Sequence, residues 1–229
     1  MTTILEKTMK YLAPDDCMIC GKEGNTLCAS CSYLLKVDFA NHCFYCASRV
    51  IAYQLCANCR KKAPAMNAIY VLADYADERV RLIIKALKYG GKRQIAEDIA
   101  VALGSILPSF KSSFTITYAP TTRQRERQRG YDQAEKIARA VALQQKVAFE
   151  RLLVRKSALH QVGSTKEQRQ QNAQNMFIVR ANKRLPQTAV IVDDVLTTGA
   201  TLEAAARLLK EAGVRTVYGL ALARATLKS

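Results

Sequence analysis

Four C-x2-C pairs, Cys17/Cys20, Cys28/Cys31, Cys43/Cys46 and Cys56/Cys59, account for all eight cysteines of the chain and fall within its first 59 residues. Two thiolates separated by two residues on a tight turn face one tetrahedral ion, so two such pairs fill four positions and leave none open for catalysis. Four pairs therefore predict two structural Zn2+ sites. Consecutive pairing, across gaps of seven and nine residues, gives two successive zinc ribbons, whereas a cross-braced arrangement would join the first pair to the third; the consecutive form is favoured. A redox pair would stand alone beside a βαβ pattern, and disulfides suit a secreted chain. His42 adjoins Cys43, but four complete pairs need no substitute ligand, so it reads as a loop residue.

No stretch reaches the roughly 18 uninterrupted apolar residues of a membrane helix. The first sixteen residues carry Glu6, Asp15 and Asp16 where a secretory signal would be apolar. A soluble, cytoplasmic protein with no membrane span is the expectation. Ile4, Leu5, Met9 and Leu12 recur at near-helical spacing and read as a docking face.

The pattern changes after Pro64, and residues 1–66 are expected to form the cysteine domain and 67–229 a second, larger domain. The second part carries 27 Lys/Arg against 14 Asp/Glu, a net +13 of the chain's +16. Such an excess favours polyanionic partners such as nucleic acid without specifying one. Apolar periodicity predicts strands at 69–75, 114–119, 188–192 and 214–221, and helices at 78–89, 94–107, 131–144 and 201–212. Strands alternating with helices imply an α/β fold, a mostly parallel sheet flanked by helices, whose ligands bind at the carboxyl ends of the strands.

At one such end the chain reads VIVDDVLTTGATL, residues 190–202. Val190, Ile191 and Val192 form the buried strand, with Asp193 and Asp194 expected at its exit. Thr197, Thr198, Gly199, Ala200 and Thr201 lead into the next helix and offer backbone N–H groups and hydroxyls to a phosphate. Two carboxylates beside a phosphate are costly unless they bind hydroxyls, a metal ion, or both. A sugar phosphate meets these demands together. A Walker B strand would require a G-x4-G-K-[ST] loop, which the chain lacks.

The same thirteen residues resemble the phosphoribosyl-pyrophosphate (PRPP) loop of the type I phosphoribosyltransferases, matching every fixed position. The resemblance implies ribose hydroxyls on Asp193 and Asp194, the 5-phosphate on residues 197–201, and Mg2+ accompanying PRPP. Joined to the cysteine pairs, the loop resembles the ComF family (ComFC/GntX) of competence and DNA-utilisation proteins. Arg129-Gly130-Tyr131-Asp132-Gln133-Ala134 is similar to that family's RGFNQA-like box, with Tyr131 for Phe and Asp132 for Asn. Thr165, Gln168, Arg169, Asn172 and Phe177 match its T-x2-Q-R-x2-N-x4-F segment.

Arg123, Arg125, Arg127 and Arg129 follow Pro120-Thr121-Thr122, where transferases of this type place a pyrophosphate-facing loop. They could clamp pyrophosphate or contact a nucleic-acid backbone. Lys85, Lys88, Lys92 and Arg93 form a second basic cluster, and Lys88 joins the arginines as a candidate contact. The resemblance implies a protein that handles incoming single-stranded DNA in natural transformation, alongside other competence or DNA-translocation proteins, and binds PRPP or a related phosphate ligand. The alternative is an active phosphoribosyltransferase joining ribose 5-phosphate to a nitrogenous base. Its transition state is stabilised mainly by charge and by exclusion of water, so no catalytic nucleophile is expected in sequence. The expected hood for a base is not identifiable: cysteine pairs occupy the amino-terminal position, and the chain stops soon after its last expected strand.

Overall fold

The structure, a computed structural model, describes residues 15–36, 42–46, 48–51, 55–62, 64–90, 93–110, 112–156, 176–180 and 185–225. The amino-terminal apolar stretch, Lys92 and positions 165–172 of the T-x2-Q-R segment lie outside these residues.

Two short modules come first. β1 (Asp15–Asp16) pairs antiparallel with β2 (Glu23–Gly24), and α1 (Ala29–Leu34) follows; α2 (Ala57–Arg60) belongs to the second module. Each helix is capped by a cysteine: the sulfurs of Cys28 and Cys56 accept from the N–H groups of Cys31 and Cys59.

The larger part is built on β3 (Ala68–Asp74), β4 (Thr115–Tyr118), β5 (Ala148–Phe149), β8 (Thr188–Leu196) and β9 (Thr216–Arg224), all parallel, in the order β3-β9-β8-β4-β5. The helices are α3 (Glu78–Tyr89), α4 (Arg93–Gly104), α5 (Arg123–Arg129), α6 (Gln133–Gln145) and α7 (Ala200–Glu211). β6 (Leu153–Arg155) and β7 (Phe177–Val179) make a separate antiparallel ribbon. Ala189 through Val192 are wholly buried, as a central strand covered on both faces requires.

α6 joins β4 to its neighbour β5, and α7 joins β8 to its neighbour β9, so the two connections leave the sheet centre in opposite directions. Right-handed crossovers in opposite directions lie on opposite faces. α4 packs beside α6, which places α4 and α7 on opposite faces of the sheet. The cysteine modules straddle that sheet. Leu27 N–H of the first donates to Asp98 Oδ2 on α4 at 2.9 Å, while the Tyr45 hydroxyl of the second donates to Glu203 on α7. Ala65 N–H also donates to Glu203, at 2.8 Å. Cys17, Leu27, Cys31, Leu35 and Phe44 share one continuous apolar core with the strands.

Three expectations need correction. β8 continues through both acids to Leu196, because Asp193, Val195 and Leu196 keep their register with Ala221, Ala223 and Arg224 of β9; the acids belong to the last pleats of the strand and do not lie beyond its exit. The arginine run expected as a loop is helix α5: Thr122 caps it through Arg125 N–H, and Gly130 ends it at φ 77°, a backbone open mainly to glycine. The helix expected over 94–107 spans 93–104.

Candidate functional site: a crevice at the switch point

β4 and β8 are neighbours whose following helices depart in opposite directions, which makes the gap beyond their carboxyl ends the topological switch point of the sheet. In an open parallel sheet this crevice is where ligands are held, because two loops diverge there and leave a hollow lined by strand ends and helix starts. Register brings the two loops together. Tyr118 pairs with Val192, and Ala119 N–H donates to Val192 O at 3.0 Å, so Pro120-Thr121-Thr122 begins beside Asp193.

On the β8 side, the loop turns at Gly199, whose φ of 77° starts α7 without a cap from that residue, while Ala200 N–H donates to Thr198 Oγ1 at 3.4 Å. The free N–H groups and the positive end of the helix dipole are left to whatever occupies the crevice. Thr197, Thr198 and Ala200 are exposed, and Thr201 is half-buried. Asp193 is pushed well above the ordinary carboxylate range, first by desolvation at the sheet end and then by the charge of Asp194. Lys88 Nζ, from the end of α3, lies 3.4 Å from Asp194 Oδ2. Lys88 thus pairs with Asp194, and the acid pair suits hydroxyl donors or a hard divalent ion.

On the β4 side, Asp132 organises the backbone. Its carboxylate accepts from Thr121 N–H at 2.7 Å and from Ala134 and Glu135 N–H at 3.0 and 3.4 Å, fixing the loop and capping α6 together. Burial pushes its pKa up to about 6 against the lowering effect of those donors. Arg155 supplies the other support: Nη1 donates to Pro120 O at 3.1 Å, with the guanidinium 5.4 Å from the Phe177 ring centre. Desolvation pulls the Arg155 pKa down, and Arg125, Asp193 and Asp132 all act on its charge.

Arg123, Arg125 and Arg127 are exposed on α5, which buries no residue. Arg129 differs, because Nη1 donates to Gln133 Oε1 at 2.7 Å and its guanidinium lies 5.7 Å from the centre of the Tyr89 ring. The structure therefore brings Lys88 to Asp194, while Arg129 is engaged with Gln133 and Tyr89 and the other three arginines are exposed on α5. Arg155 and the anchoring role of Asp132 escaped the sequence reading. Asp132 was accessible from Asp-x-x-Glu at 132–135, a capping-box spacing ahead of an apolar helix. Arg155 carries no such signal, since a lone arginine in a three-residue strand is indistinguishable from a surface charge.

The cysteines form two separate groups. The sulfurs of Cys17, Cys20, Cys28 and Cys31 lie within 4.8 Å of one another, as do those of Cys43, Cys46, Cys56 and Cys59, which is the consecutive pairing. Burial, with the adjoining sulfurs, pushes Cys31 and Cys59 up to about 12, while the Cys59 N–H and the Ser48 hydroxyl pull Cys56 down to about 6. Four adjacent thiols cannot all ionise without a cation, and a soft tetrahedral donor set of this kind could hold a metal ion. Among the described residues no helix is long and apolar enough to cross a membrane.

A family model for the phosphoribosyl transferase domain matches residues 128–225, from the end of α5 through β9. Competence protein F of Haemophilus influenzae is 29% identical over 212 residues, covering 88% of this chain and 91% of that protein. Competence protein ComFC of Streptococcus pneumoniae is 24% identical, covering 91% and 99%. The DNA utilization protein YhgH of Escherichia coli O157:H7 is 27% identical, covering 86% and 90%. Among solved structures, the allosteric regulatory enzyme of purine biosynthesis overlaps 59% of this chain and 29% of its own at 13% identity and a TM-score of 0.40, too loose to bear on function. The relatives match across both the cysteine modules and the parallel sheet, so the chain is similar over most of its length to the ComF-type competence and DNA utilization proteins and combines a phosphoribosyltransferase-like fold with two preceding four-cysteine modules.

Proposed function

We propose that this protein handles single-stranded DNA in competence or DNA utilisation, and that its crevice binds PRPP or a related phosphoribosyl or phosphate ligand. The observation that carries the reading is the switch-point crevice itself. There the acids of β8, the start of α7 at Gly199 and the loop ahead of the arginine helix face one gap, with Lys88 against Asp194. In this reading residues 197–201 hold the phosphate, and Asp193 and Asp194 accept from ribose hydroxyls. Carboxylates and open backbone donors suit Mg2+ accompanying the ligand, which when bound would neutralise the pyrophosphate charge. The cysteine groups are two structural Zn2+ sites, closed by four sulfurs each. We place the domain boundary near residue 66, and the location as cytoplasmic.

The relatives' names and the basic charge of the larger part support the DNA role, with α5 offering Arg123, Arg125 and Arg127 to phosphates. Binding to a labelled single-stranded oligonucleotide across a salt series tests it. The slope of log affinity against log salt should be about −0.7 for each phosphate held. Absent or salt-independent binding would remove the DNA role.

An active phosphoribosyltransferase remains the second reading, favoured by the intact loop at 190–202. In it, Lys88 and the arginines would stabilise departing pyrophosphate, and the Asp132-anchored loop would keep that position fixed. Pyrophosphate release on adding a panel of nitrogenous bases to the protein with PRPP and Mg2+ separates the two readings.

A further inference from the structure

The outward stripe of α3 carries Leu82, Lys85 and Tyr89, spaced three and four residues apart and therefore on one helical face. Leu82 is 51% exposed and Tyr89 73% exposed, the latter at the helix end nearest the crevice, one residue after Lys88. A single exposed ring is ordinary on a protein surface, and Tyr89 stands out by its surroundings. Arg129, at the end of the arginine helix, stands 5.7 Å from the ring centre. That guanidinium is held by the Oε1 of Gln133, a residue only 3% exposed, whose Nε2 has no partner among the described residues. Being buried, Gln133 serves as the fixed support that orients the guanidinium. Tyr131, whose hydroxyl donates to Leu87 O at 2.6 Å, locks the end of α3 to the start of α6 and so fixes the spacing of ring, guanidinium and amide.

We infer that Tyr89 and Arg129, the latter held in place by Gln133, form a stacking station for one nucleotide of a single strand: the base lies on the Tyr89 ring, and its phosphate is taken by Arg129. The inference rests on the single-strand reading above and names where the strand meets the crevice. A π-face with a flanking cation suits any base, which fits sequence-tolerant binding. A free base is excluded as the intended occupant by the openness of the platform, since one exposed ring gives too little contact area to retain a small molecule without the phosphates that α5 would hold. Arg123, Arg125 and Arg127 supply those neighbouring charges on the same helix as Arg129.

The test compares a labelled oligothymidylate with an oligomer of the same length built wholly of abasic sites, on the full-length protein and its Tyr89→Ala and Tyr89→Phe variants. Tyr89→Ala should weaken oligothymidylate binding about 5- to 100-fold, the worth of one stacked base, leave the abasic oligomer unchanged, and preserve the salt slope. Tyr89→Phe should bind as the parent does, which also guards against misfolding as the cause of any loss. If the parent binds oligothymidylate with a steep salt dependence and Tyr89→Ala binds it equally well, the station is wrong and the single-strand reading stands. An equal loss for both oligomers in Tyr89→Ala also overturns the station. A parent that binds neither oligomer overturns both.

Discussion

Asp132 is a carboxylate placed where water has been removed, serving as acceptor for the crevice loop and cap for α6 at once. Its pKa is raised to about 6, above the ordinary aspartate value. Its stabilising contribution is therefore complete below that ordinary value and is lost as pH rises through about 6. Thermal melts between pH 4 and 7 should show the parent losing stability across this window relative to Asp132→Asn, whose single amide oxygen serves only one of the two donor sets but does not titrate. Parallel profiles would show that Asp132 does not titrate there. The residue scale also shows what the sequence could reveal. The acids and the threonine loop stand out because thirteen consecutive residues share one pattern, whereas Arg155 acquires its role only when β6 is laid against Pro120, a contact between positions 35 residues apart.

At the scale of elements, Glu203 is the joint between the second cysteine module and α7. It sits in the first turn of the helix that begins at Gly199 and receives Tyr45, Ala65 and Arg207. Glu203→Ala leaves a buried N–H and a half-buried hydroxyl without their acceptor, and should cost about 1–3 kcal/mol in denaturant unfolding. A change within error would mean that the module does not lean on α7. Helix α5 makes a different prediction. Because it buries nothing, changing Arg123, Arg125 or Arg127 to Gln should leave stability within about 0.5 kcal/mol and lower the salt slope for single-stranded DNA by about 0.7 for each phosphate no longer held. The long elements were legible from apolar spacing alone: α3 has the expected bounds, with Val80, Ile83, Ile84 and Leu87 buried. The two-residue β5, the β6–β7 ribbon and α5 were not, since short strands carry too few residues for a period and a helix of alternating charge has no apolar face.

On the scale of the whole molecule, the two modules grip opposite faces of the sheet, through Asp98 on α4 and Glu203 on α7. Gly219 of β9 is closely packed: a Cβ there would displace Met66 Cε, at 2.5 Å, and press on Leu202 Cδ1 and Ile69 Cγ1 at 3.1 and 3.2 Å, all from buried side chains, so Gly219→Ala should be destabilising by about 1–3 kcal/mol, read by thermal or denaturant melts. Metal analysis should find two zinc equivalents per chain, released together with titration of eight thiols. A single equivalent would contradict the paired four-sulfur groups. Sequence spacing predicted those groups, but not their straddling of the sheet, which depends on crossover handedness and on hydrogen bonds between residues 71 and 158 positions apart.

The central claim is that the switch-point crevice is a phosphoribosyl site with Asp193 and Asp194 on the sugar hydroxyls. Calorimetric titration of PRPP with Mg2+ into the parent and into the Asp193→Ala/Asp194→Ala protein addresses it most directly. The parent should bind one equivalent, and the double variant at least about 100-fold more weakly, as expected when two charge-assisted hydrogen bonds worth about 1.5–3 kcal/mol each are removed. Equal affinity in the two proteins would contradict the account.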